Sequence, residues 1–352
     1  MLKFKDQVQI GEKTISLNSP TYTIAEVGSN HNGSLDEAIR YIHQAKKAGV
    51  DAVKFQSFSA EGLLSKKQPV DNDPQKGWQL HPVFSVLEKL ELPEKWHFKL
   101  KKECERVGIE FLSAPFDIKK ARLLKEVGVR AIKIASGELT HLTLLKEVSA
   151  YGVPLILSTG AATLEEVGLA LDTIYKAGCR EVVLLHCVSA YPPRFEDMNV
   201  RAVETLVENF MCPVGISDHT PGWTVPLLSC VLGGRCVEKH VTFDRKQKGP
   251  DHPFALEWSE FEAMVQALRN AEKALGDGIK KPMETEISER IYARKGLYAN
   301  VDLKAGEILT AQNTKLVRHA FGISALDAEK IYGKKILKSK TSDEAIFRDD
   351  VA

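Results

Sequence analysis

Eight short apolar segments recur along the chain, and each is followed by a stretch in which apolar residues repeat at helical spacing. Segments of four or five residues rich in Val, Ile, Leu and Ala are typical of buried strands. The predicted strands are residues 23–26, 52–56, 110–113, 131–134, 155–158, 182–186, 214–217 and 237–240. Six of the seven intervals between their starts are 21 to 32 residues, the length of one strand–helix unit. This α/β pattern predicts a closed (β/α)8 TIM barrel better than an open doubly wound sheet.

The joins between helices and strands support this prediction. Gly49 ends the first helical stretch directly before a strand, and the same join recurs at KECERVG, ARLLKEVG, DTIYKAG and VLGG. Glycine readily ends a helix in the left-handed conformation. The second interval is longer, 58 residues, and the start of VDNDPQKGWQLHPVF is too polar and turn-rich to predict another strand. We therefore expect an enlarged loop there, on the face where barrels place their active sites, covering the substrate.

The pattern changes after the eighth helix. The sequence GDGIKKPMETE combines glycine, proline and mixed charge, which is typical of a linker. We therefore predict a catalytic barrel domain over residues 1–280 and a small β-rich domain over residues 281–352. A module of this size has a small core, so we expect it to lean on the surface of a partner.

Composition narrows the function classes. Hydrophobic residues make up 43% of the chain, and 48 Lys+Arg balance 47 Asp+Glu, so no basic field for nucleic acid is expected. The first residues mix charges in a way that is not typical of a signal peptide, and no long apolar run predicts a membrane span. The six cysteines have no CxxC spacing, which favours reduced thiols in a cytoplasmic protein.

Polar residues follow or end nearly every predicted strand. In a barrel these carboxyl ends meet at one pocket, so the pattern indicates an enzyme rather than a set of unrelated surface groups. Lys54 and Lys133 lie inside apolar strands, where a lysine is costly to bury without an anion. A glutamate such as Glu26 is equally costly to bury without a partner. An ion pair to a lysine is the simpler alternative to a functional role for it. Single serines after strands also have a simpler interpretation, as caps of the following helices. The polar residues in question are Glu26, Lys54, Gln56, Ser113, Lys133, Ser136, Glu138, Ser158, Thr159, His186, Ser189, Ser217, Asp218, His219, Glu238 and His240.

Two histidines end neighbouring predicted strands beside carboxylates. His219 or His240 alone would best be interpreted as a hydrogen-bonded structural histidine. Together they indicate a divalent metal site with open positions for substrate oxygens. No tight zinc motif and no GxxxxGK[ST] phosphate loop occurs, so phosphate binding would depend on lysines, hydroxyls and backbone N–H groups.

Seven motifs follow one another along the chain: IAEVGSNHNGS, DAVKFQSF, IKIASGEL, LILSTG, LLHCVSAYP, GISDHT and VEKHVTFDRKQKGPDH. In this order they resemble the sialic acid synthase family, which joins phosphoenolpyruvate to an N-acylated hexosamine and releases phosphate. The tail resembles the antifreeze-like, or SAF, domain of that family. The resemblance implies a C–C bond-forming transferase of carbohydrate biosynthesis that works as a domain-swapped homodimer.

The resemblance also implies roles for individual residues. His219 and His240 would be the catalytic metal ligands, with manganese as the favoured ion, and Glu26 would be the catalytic carboxylate. Phosphoenolpyruvate would be held by Lys54, Lys133, Ser136, Ser158, Ser189 and Ser217. The sugar would be held by Gln56, Tyr191, Asp251 and, from the partner's tail domain, Arg318.

Two motifs depart from the family pattern. Ala114 stands where relatives often have threonine, which leaves the roles of Ser113 and Ala114 open, and HCVSAYP weakens the assignment of Ser189.

The favoured sugar is N-acetylmannosamine, which gives N-acetylneuraminate. Legionaminic, pseudaminic and sugar-6-phosphate versions are the alternatives within the family. A carbohydrate-binding scaffold without activity is the alternative of another class, and an aldolase or another phosphoenolpyruvate-condensing synthase is the nearer enzyme alternative.

Overall fold

The computed structural model describes residues 2–352 and contains two compact units, which divide between Gly276 and Asp277. The first unit is built from strands alternating with helices. Its strands are β1 (Gln7–Ile10), β2 (Lys13–Ser16), β3 (Tyr22–Gly28), β4 (Ala52–Ser57), β5 (Lys67–Val70), β6 (Asp73–Leu80), β7 (Glu110–Pro115), β8 (Ile132–Ile134), β9 (Leu155–Ser158), β10 (Val182–Cys187), β11 (Val214–Asp218), β12 (Cys236–Thr242) and β13 (Leu256–Glu257). Its helices are α1 (Leu35–Lys47), α2 (Ala60–Leu63), α3 (Phe84–Leu90), α4 (Glu94–Val107), α5 (Ile118–Val127), α6 (Leu142–Ser149), α7 (Leu164–Lys176), α8 (Ala202–Phe210), α9 (Thr224–Val231) and α10 (Trp258–Leu275).

The eight predicted strands are confirmed, and together they form a parallel barrel. They pair in the order β7-β4-β3-β12-β11-β10-β9-β8, and β7 and β8 lie side by side at the seam. The predicted glycine joins are confirmed as well. Gly49, Gly108 and Gly128 have φ values of 72°, 73° and 74°, the left-handed conformation that ends a helix just before a strand.

A β-hairpin that the sequence pattern did not predict closes the amino-terminal end of the barrel. Strands β1 and β2 pair antiparallel and contribute Val8, Ile10 and Ile15 to a buried apolar cluster. We call this cluster the floor. Its barrel members are Tyr22, Ile24, Ala52, Leu112, Ala131, Ile156, Val183, Leu185 and Cys236. A second and larger apolar cluster lies between the barrel and its helices.

The long interval between β4 and β7 contains more structure than an irregular loop, so the expectation that its polar start forms no strand is wrong. Strands β5 and β6 form an antiparallel hairpin. Asp71 and Asn72 at its turn both have positive φ, 50° and 59°, which matches the right-handed twist of a two-stranded ribbon. The turn chemistry therefore permits a hairpin despite the polar composition.

The second unit has its own small core. Helix α11 (Glu289–Tyr292) precedes two antiparallel strands, β14 (Lys295–Ala299) and β15 (Thr314–Arg318). The apolar cluster of this unit is Leu297, Ala299, Leu303, Leu309, Ile323, Ala328, Ile331, Ile336 and Ile346.

All six cysteines are buried with free thiols. Within residues 2–352, no helix combines the length and the apolar character needed to cross a lipid bilayer.

Candidate active site

A cavity of about 680 Å³ opens at the carboxyl ends of the barrel strands. It reaches from Gln56 at the end of β4 to His240 in β12 and Asp251 in the following loop. The strands deliver these groups to one place because all of them run in the same direction around the barrel. The polar residues that line the cavity are Gln56, Ser136, Thr140, Glu166, Ser189, Tyr191, His240 and Asp251.

Two lysines and two glutamates form a buried ion cluster inside the barrel. Lys54 Nζ lies 2.7 Å from Glu26 Oε2 and 3.7 Å from Glu238 Oε2, and Lys133 Nζ lies 3.6 Å from Glu238 Oε1. Gln56 Nε2 donates to Glu26 Oε1 over 2.8 Å. The cluster is neutral as a whole, which is how a barrel interior can hold four charges.

The two lysines of the cluster differ in their electrostatics. Burial lowers the pKa of Lys54, but the carboxylates of Glu238 and Glu26 outweigh burial, so its pKa is raised overall. For Lys133 burial is the dominant cause and its pKa is lowered, despite the attraction of Glu238 and with repulsion from Lys54. The positive charge of Lys133 is therefore only partly balanced by the neighbouring carboxylates, and an added anion would stabilise its charged form.

Glu238 is the central member of this cluster, although the family resemblance implies no role for it. It contacts both lysines and accepts from Ser217 Oγ over 3.0 Å. Burial raises the pKa of Glu238, but Lys133 and Lys54 outweigh burial and lower it overall. The signal that could have found it is the spacing in EKH, because residues two apart in a strand face the same side, and Glu238 shares the face of His240.

Serines gather at one corner of this site. Ser158 Oγ accepts from Lys133 Nζ over 2.6 Å, and Ser136 Oγ accepts from the Gly160 N–H over 3.0 Å. A Cβ built on Gly160 would collide with the hydroxyls of both Ser136 and Ser189, so all three residues converge there. The N-caps of α5, α6 and α7 are Asp117, His141 and Thr163. The alternative that Ser113, Ser136 and Ser158 serve as caps of these helices is therefore wrong.

Ser113 and Ala114 point to opposite sides of β7. Ser113 Oγ donates to the Phe55 carbonyl over 3.1 Å and lies 2.6 Å from Ser57 Oγ, whereas Leu112 belongs to the floor. Because side chains alternate along a strand, Ala114 faces the barrel interior and Ser113 faces outwards. The interior position of this strand therefore carries a methyl group rather than a hydroxyl.

His219 and His240 lie together beside the ion cluster. Their ring centroids are 5.3 Å apart, with Tyr191 packed on His219 at 4.5 Å and Phe254 on His240 at 5.0 Å. Burial, reinforced by the neighbouring His240 and Lys239, lowers the pKa of His219 to about 2. Its imidazole is therefore neutral, which is the form that ligates metal ions.

The hydrogen-bonding state of the two rings is also compatible with a metal. Nδ1 of both His219 and His240 is buried and has no hydrogen-bond partner among the described residues. No group of three or more His, Cys, Asp or Glu side chains in that part of the chain could hold an ion by itself. Two neighbouring buried histidines therefore fit a site whose remaining positions are filled by water or substrate oxygens.

The residues predicted to hold the sugar lie in different places. Gln56, Tyr191 and Asp251 line the cavity, and more than half of the Tyr191 side chain is exposed. Asp251 Oδ2 accepts from the backbone N–H and the hydroxyl of Ser29 over 3.0 and 2.8 Å, which fixes the turn after β3. Arg318 ends β15 and belongs to the second unit.

Comparison with known proteins places the chain in a family. Residues 41–280 match the NeuB family and residues 294–352 match the SAF domain. The N,N'-diacetyllegionaminic acid synthase of Campylobacter jejuni is 40% identical, over 93% of this chain and 98% of that protein. The pseudaminic acid synthase of the same species is 35% identical, over 97% and 99% of the two chains.

A solved structure supports the same conclusion. The N-acetylneuraminic acid (sialic acid) synthetase of Leptospira borgpetersenii, crystallised with citrate, is 32% identical with a TM-score of 0.72. It covers 82% of this chain and 96% of its own. The barrel, the SAF domain and the near full-length identity agree, and the chain belongs to the NeuB family.

Proposed function

We propose that this protein condenses phosphoenolpyruvate with an N-acylated hexosamine to form a nonulosonic acid and release phosphate. The observation that carries the proposal is the cavity itself, in which a buried lysine–glutamate cluster lies beside two neighbouring histidines. A protein that only binds a neutral N-acylated hexosamine would not need buried cations, whereas one that binds a phosphorylated anion does. The whole-length similarity to synthases of this kind supports the same reaction.

Phosphoenolpyruvate would bind at the lysine and serine side of the cavity. Lys133, whose charge is incompletely compensated, would gain most from the anion, and Lys54 would stabilise it from the neighbouring strand. Ser136 and Ser189, which converge at Gly160, and Ser158, which accepts from Lys133 Nζ, would donate hydrogen bonds. Ser217 would help through Glu238, to which it donates. The role of these groups is to hold the phosphate and to stabilise the charge that collects on it as it leaves.

His219 and His240 would hold a divalent ion, with manganese as the proposed metal. When bound, this ion would polarise the aldehyde oxygen of the open-chain sugar, which the enol carbon of phosphoenolpyruvate attacks. Glu26 is oriented by Lys54 on one oxygen and Gln56 on the other, and we assign it the proton exchange with the sugar oxygen. Tyr191 and Asp251 would position the sugar, and Arg318 remains the predicted contribution of a partner's SAF domain.

The sugar is the least determined part of the proposal. N-acetylmannosamine, which gives N-acetylneuraminate, is the first candidate, and the similarity to a sialic acid synthetase supports it. A di-N-acetylated hexosamine is the second candidate, because the legionaminic acid synthase of Campylobacter jejuni is more similar in sequence, at 40% identity.

The test is phosphate release from phosphoenolpyruvate, measured with metal-free protein, with and without added Mn²⁺. The sugars are N-acetylmannosamine, its 6-phosphate and a di-N-acetylated hexosamine. We expect release that requires both a sugar and the metal, and the preferred sugar has the highest kcat/KM. Protein that releases no phosphate with any of these sugars would contradict the proposed reaction.

Histidine variants test the metal assignment separately. His219→Ala and His240→Ala should each abolish Mn²⁺-dependent phosphate release while the protein stays folded. His43→Ala is the matched control, because this half-exposed histidine pairs with Glu103 on the outer surface. Activity that persists in either site variant would contradict the metal assignment and leave the reaction itself standing.

A further inference from the structure

A second buried ion pair lies directly beside the two histidines, and substrate binding does not explain it. Lys239 Nζ pairs with Asp218 Oδ2, and both side chains are almost completely buried. The two residues are register partners on β11 and β12, each next in sequence to one of the histidines. Neither of them lines the cavity.

Thr220 joins this pair and completes a small polar cluster. Its backbone N–H and its hydroxyl both donate to the Asp218 carboxylate over 3.0 Å, and its carbonyl accepts from Lys239 Nζ over 2.6 Å. The residues on both sides of His219 are therefore bonded to each other and to the residue that precedes His240. We call these three residues the Asp218–Lys239–Thr220 cluster.

Stability alone is a weak reason for such a cluster. Apolar residues of the same volume usually stabilise a protein interior at least as well as a buried ion pair, because removing both charges from water is costly. What an ion pair adds is geometry, since its hydrogen bonds are satisfied in one arrangement only. The arrangement here holds the ends of two strands in register at the positions of the histidines.

The histidine rings need such a support. A metal-binding histidine commonly donates its second ring nitrogen to a carboxylate or a carbonyl, which fixes the ring. In the described chain Nδ1 of His219 and of His240 has no such partner, and the rings contact aromatic side chains instead. Their positions therefore depend on the backbone from which they project.

We propose that the Asp218–Lys239–Thr220 cluster positions His219 and His240 for a divalent metal ion by fixing the backbone on which both rings are mounted. The inference rests on the metal site of the proposed function. Asp218, Lys239 and Thr220 are positioning residues, since they act on the metal through the histidines and contact no substrate.

The experiment measures Mn²⁺ affinity in the absence of both substrates, by titrating metal-free protein and following the electron paramagnetic resonance signal of free Mn²⁺. Lys239→Met should weaken binding by about 10- to 100-fold, the range found when supporting residues of metal ligands are removed. Thr220→Val keeps the backbone bonds and loses one hydroxyl, so it should weaken binding less, by about fivefold. Thr220→Ser, which keeps the hydroxyl, should restore the affinity.

Lys101→Met is the matched control. Lys101 is another buried lysine, paired with Glu105 on α4, and it lines a pocket at the amino-terminal end of the barrel. This variant also replaces a buried, ion-paired lysine by methionine, and it should keep the Mn²⁺ affinity of the wild type; urea denaturation of both variants measures how far each one is destabilised.

The outcomes separate the inference from the proposed function. Wild-type affinity in folded Lys239→Met and Thr220→Val would overturn the positioning role and leave the metal site standing. An equal loss of affinity in Lys101→Met would overturn it too, because the effect would then follow stability. Wild-type protein that binds no Mn²⁺ would overturn the metal site and with it this inference. If Lys239→Met does not fold, the ratio of affinities between Thr220→Val and Thr220→Ser decides.

Discussion

The two ends of the barrel use the same strands in opposite ways. At the floor, the inward side chains are Ile24, Ala52, Leu112, Ala131, Ile156 and Cys236, which pack against the hairpin β1–β2 without polar partners. Two residues further along the same strands, the inward side chains are Glu26, Lys54, Ala114, Lys133, Ser158 and Glu238. The first layer therefore consists of apolar side chains that pack together. The next layer consists, apart from Ala114, of side chains that can bind ions or exchange protons.

The order of these two layers explains how the barrel can hold four charges in its interior. The floor contributes hydrophobic burial and excludes water from below, so the lysines and glutamates above it keep their positions without solvent. In the low dielectric of that layer a charge acts more strongly on a bound anion than it would in water. The side chains that stabilise the barrel and those that carry its chemistry thus lie only two residues apart along each strand.

Lys133→Met tests the chemical layer and has the largest expected effect. Methionine fills the volume but removes the cation with the least compensation, so phosphate release should fall by about 10²–10³-fold in kcat/KM. The protein should stay folded, because Glu238 keeps Lys54 and Ser217 as partners, but its midpoint of thermal unfolding should fall, because the cluster is left with one excess negative charge. Lys101→Met, far from the cavity, should keep full activity. Nearly normal kcat/KM in Lys133→Met would contradict the separation of the layers.

Leu112→Ala tests the packing layer. Removing this fully buried side chain leaves a cavity in the floor and should lower the free energy of unfolding by about 2–5 kcal/mol, measured by urea denaturation. The kcat of the folded fraction should stay that of the wild type. Leu169→Ala, at an exposed position of α7, is the control and should have little effect on either quantity. A lower kcat for the folded fraction of Leu112→Ala would show that the two layers are not independent.

Gly160→Ala tests the corner where the serines meet. The new methyl group would collide with the Ser136 and Ser189 hydroxyls, so the KM for phosphoenolpyruvate should rise by about tenfold, equivalent to about 1.4 kcal/mol. The KM for the sugar should change less. Gly168→Ala, a position in α7 with room for a methyl group, is the control. An unchanged KM for phosphoenolpyruvate would place its phosphate elsewhere.

Ala114→Ser is the mildest test, because it adds one hydroxyl to the chemical layer. One new neutral hydrogen bond contributes about 1 kcal/mol, so the KM for phosphoenolpyruvate should fall by about fivefold at most. Ser113→Ala removes the hydroxyl that faces outwards to the Phe55 carbonyl, and it should lower stability while leaving that KM unchanged. The reverse pattern in the two variants would mean that β7 presents its other face to the cavity.

Much of the fold and part of the site could be predicted from the sequence. All eight barrel strands were predicted, because each is a short apolar run ended by polar residues. Both features are visible in a short stretch of sequence. The hairpin β5–β6 was missed because a polar composition outweighed the turn at Asp71 and Asn72 in the prediction. The hairpin β1–β2 was missed because its strands are only four residues long and mix apolar with polar positions, and only the open end of a barrel gives them an apolar surface to cover.

The strand–helix order, the family and the set of polar residues at the strand ends can be read from the amino-acid sequence alone. Which of these residues face the interior depends on how the strands pair around the closed barrel. Strands of a parallel barrel are apolar on both faces, so alternation along one strand does not reveal its inner side. Register across the barrel therefore separates Ala114 from Ser113, makes Glu238 the partner of both lysines, and leaves Lys133 with the charge that most needs an anion.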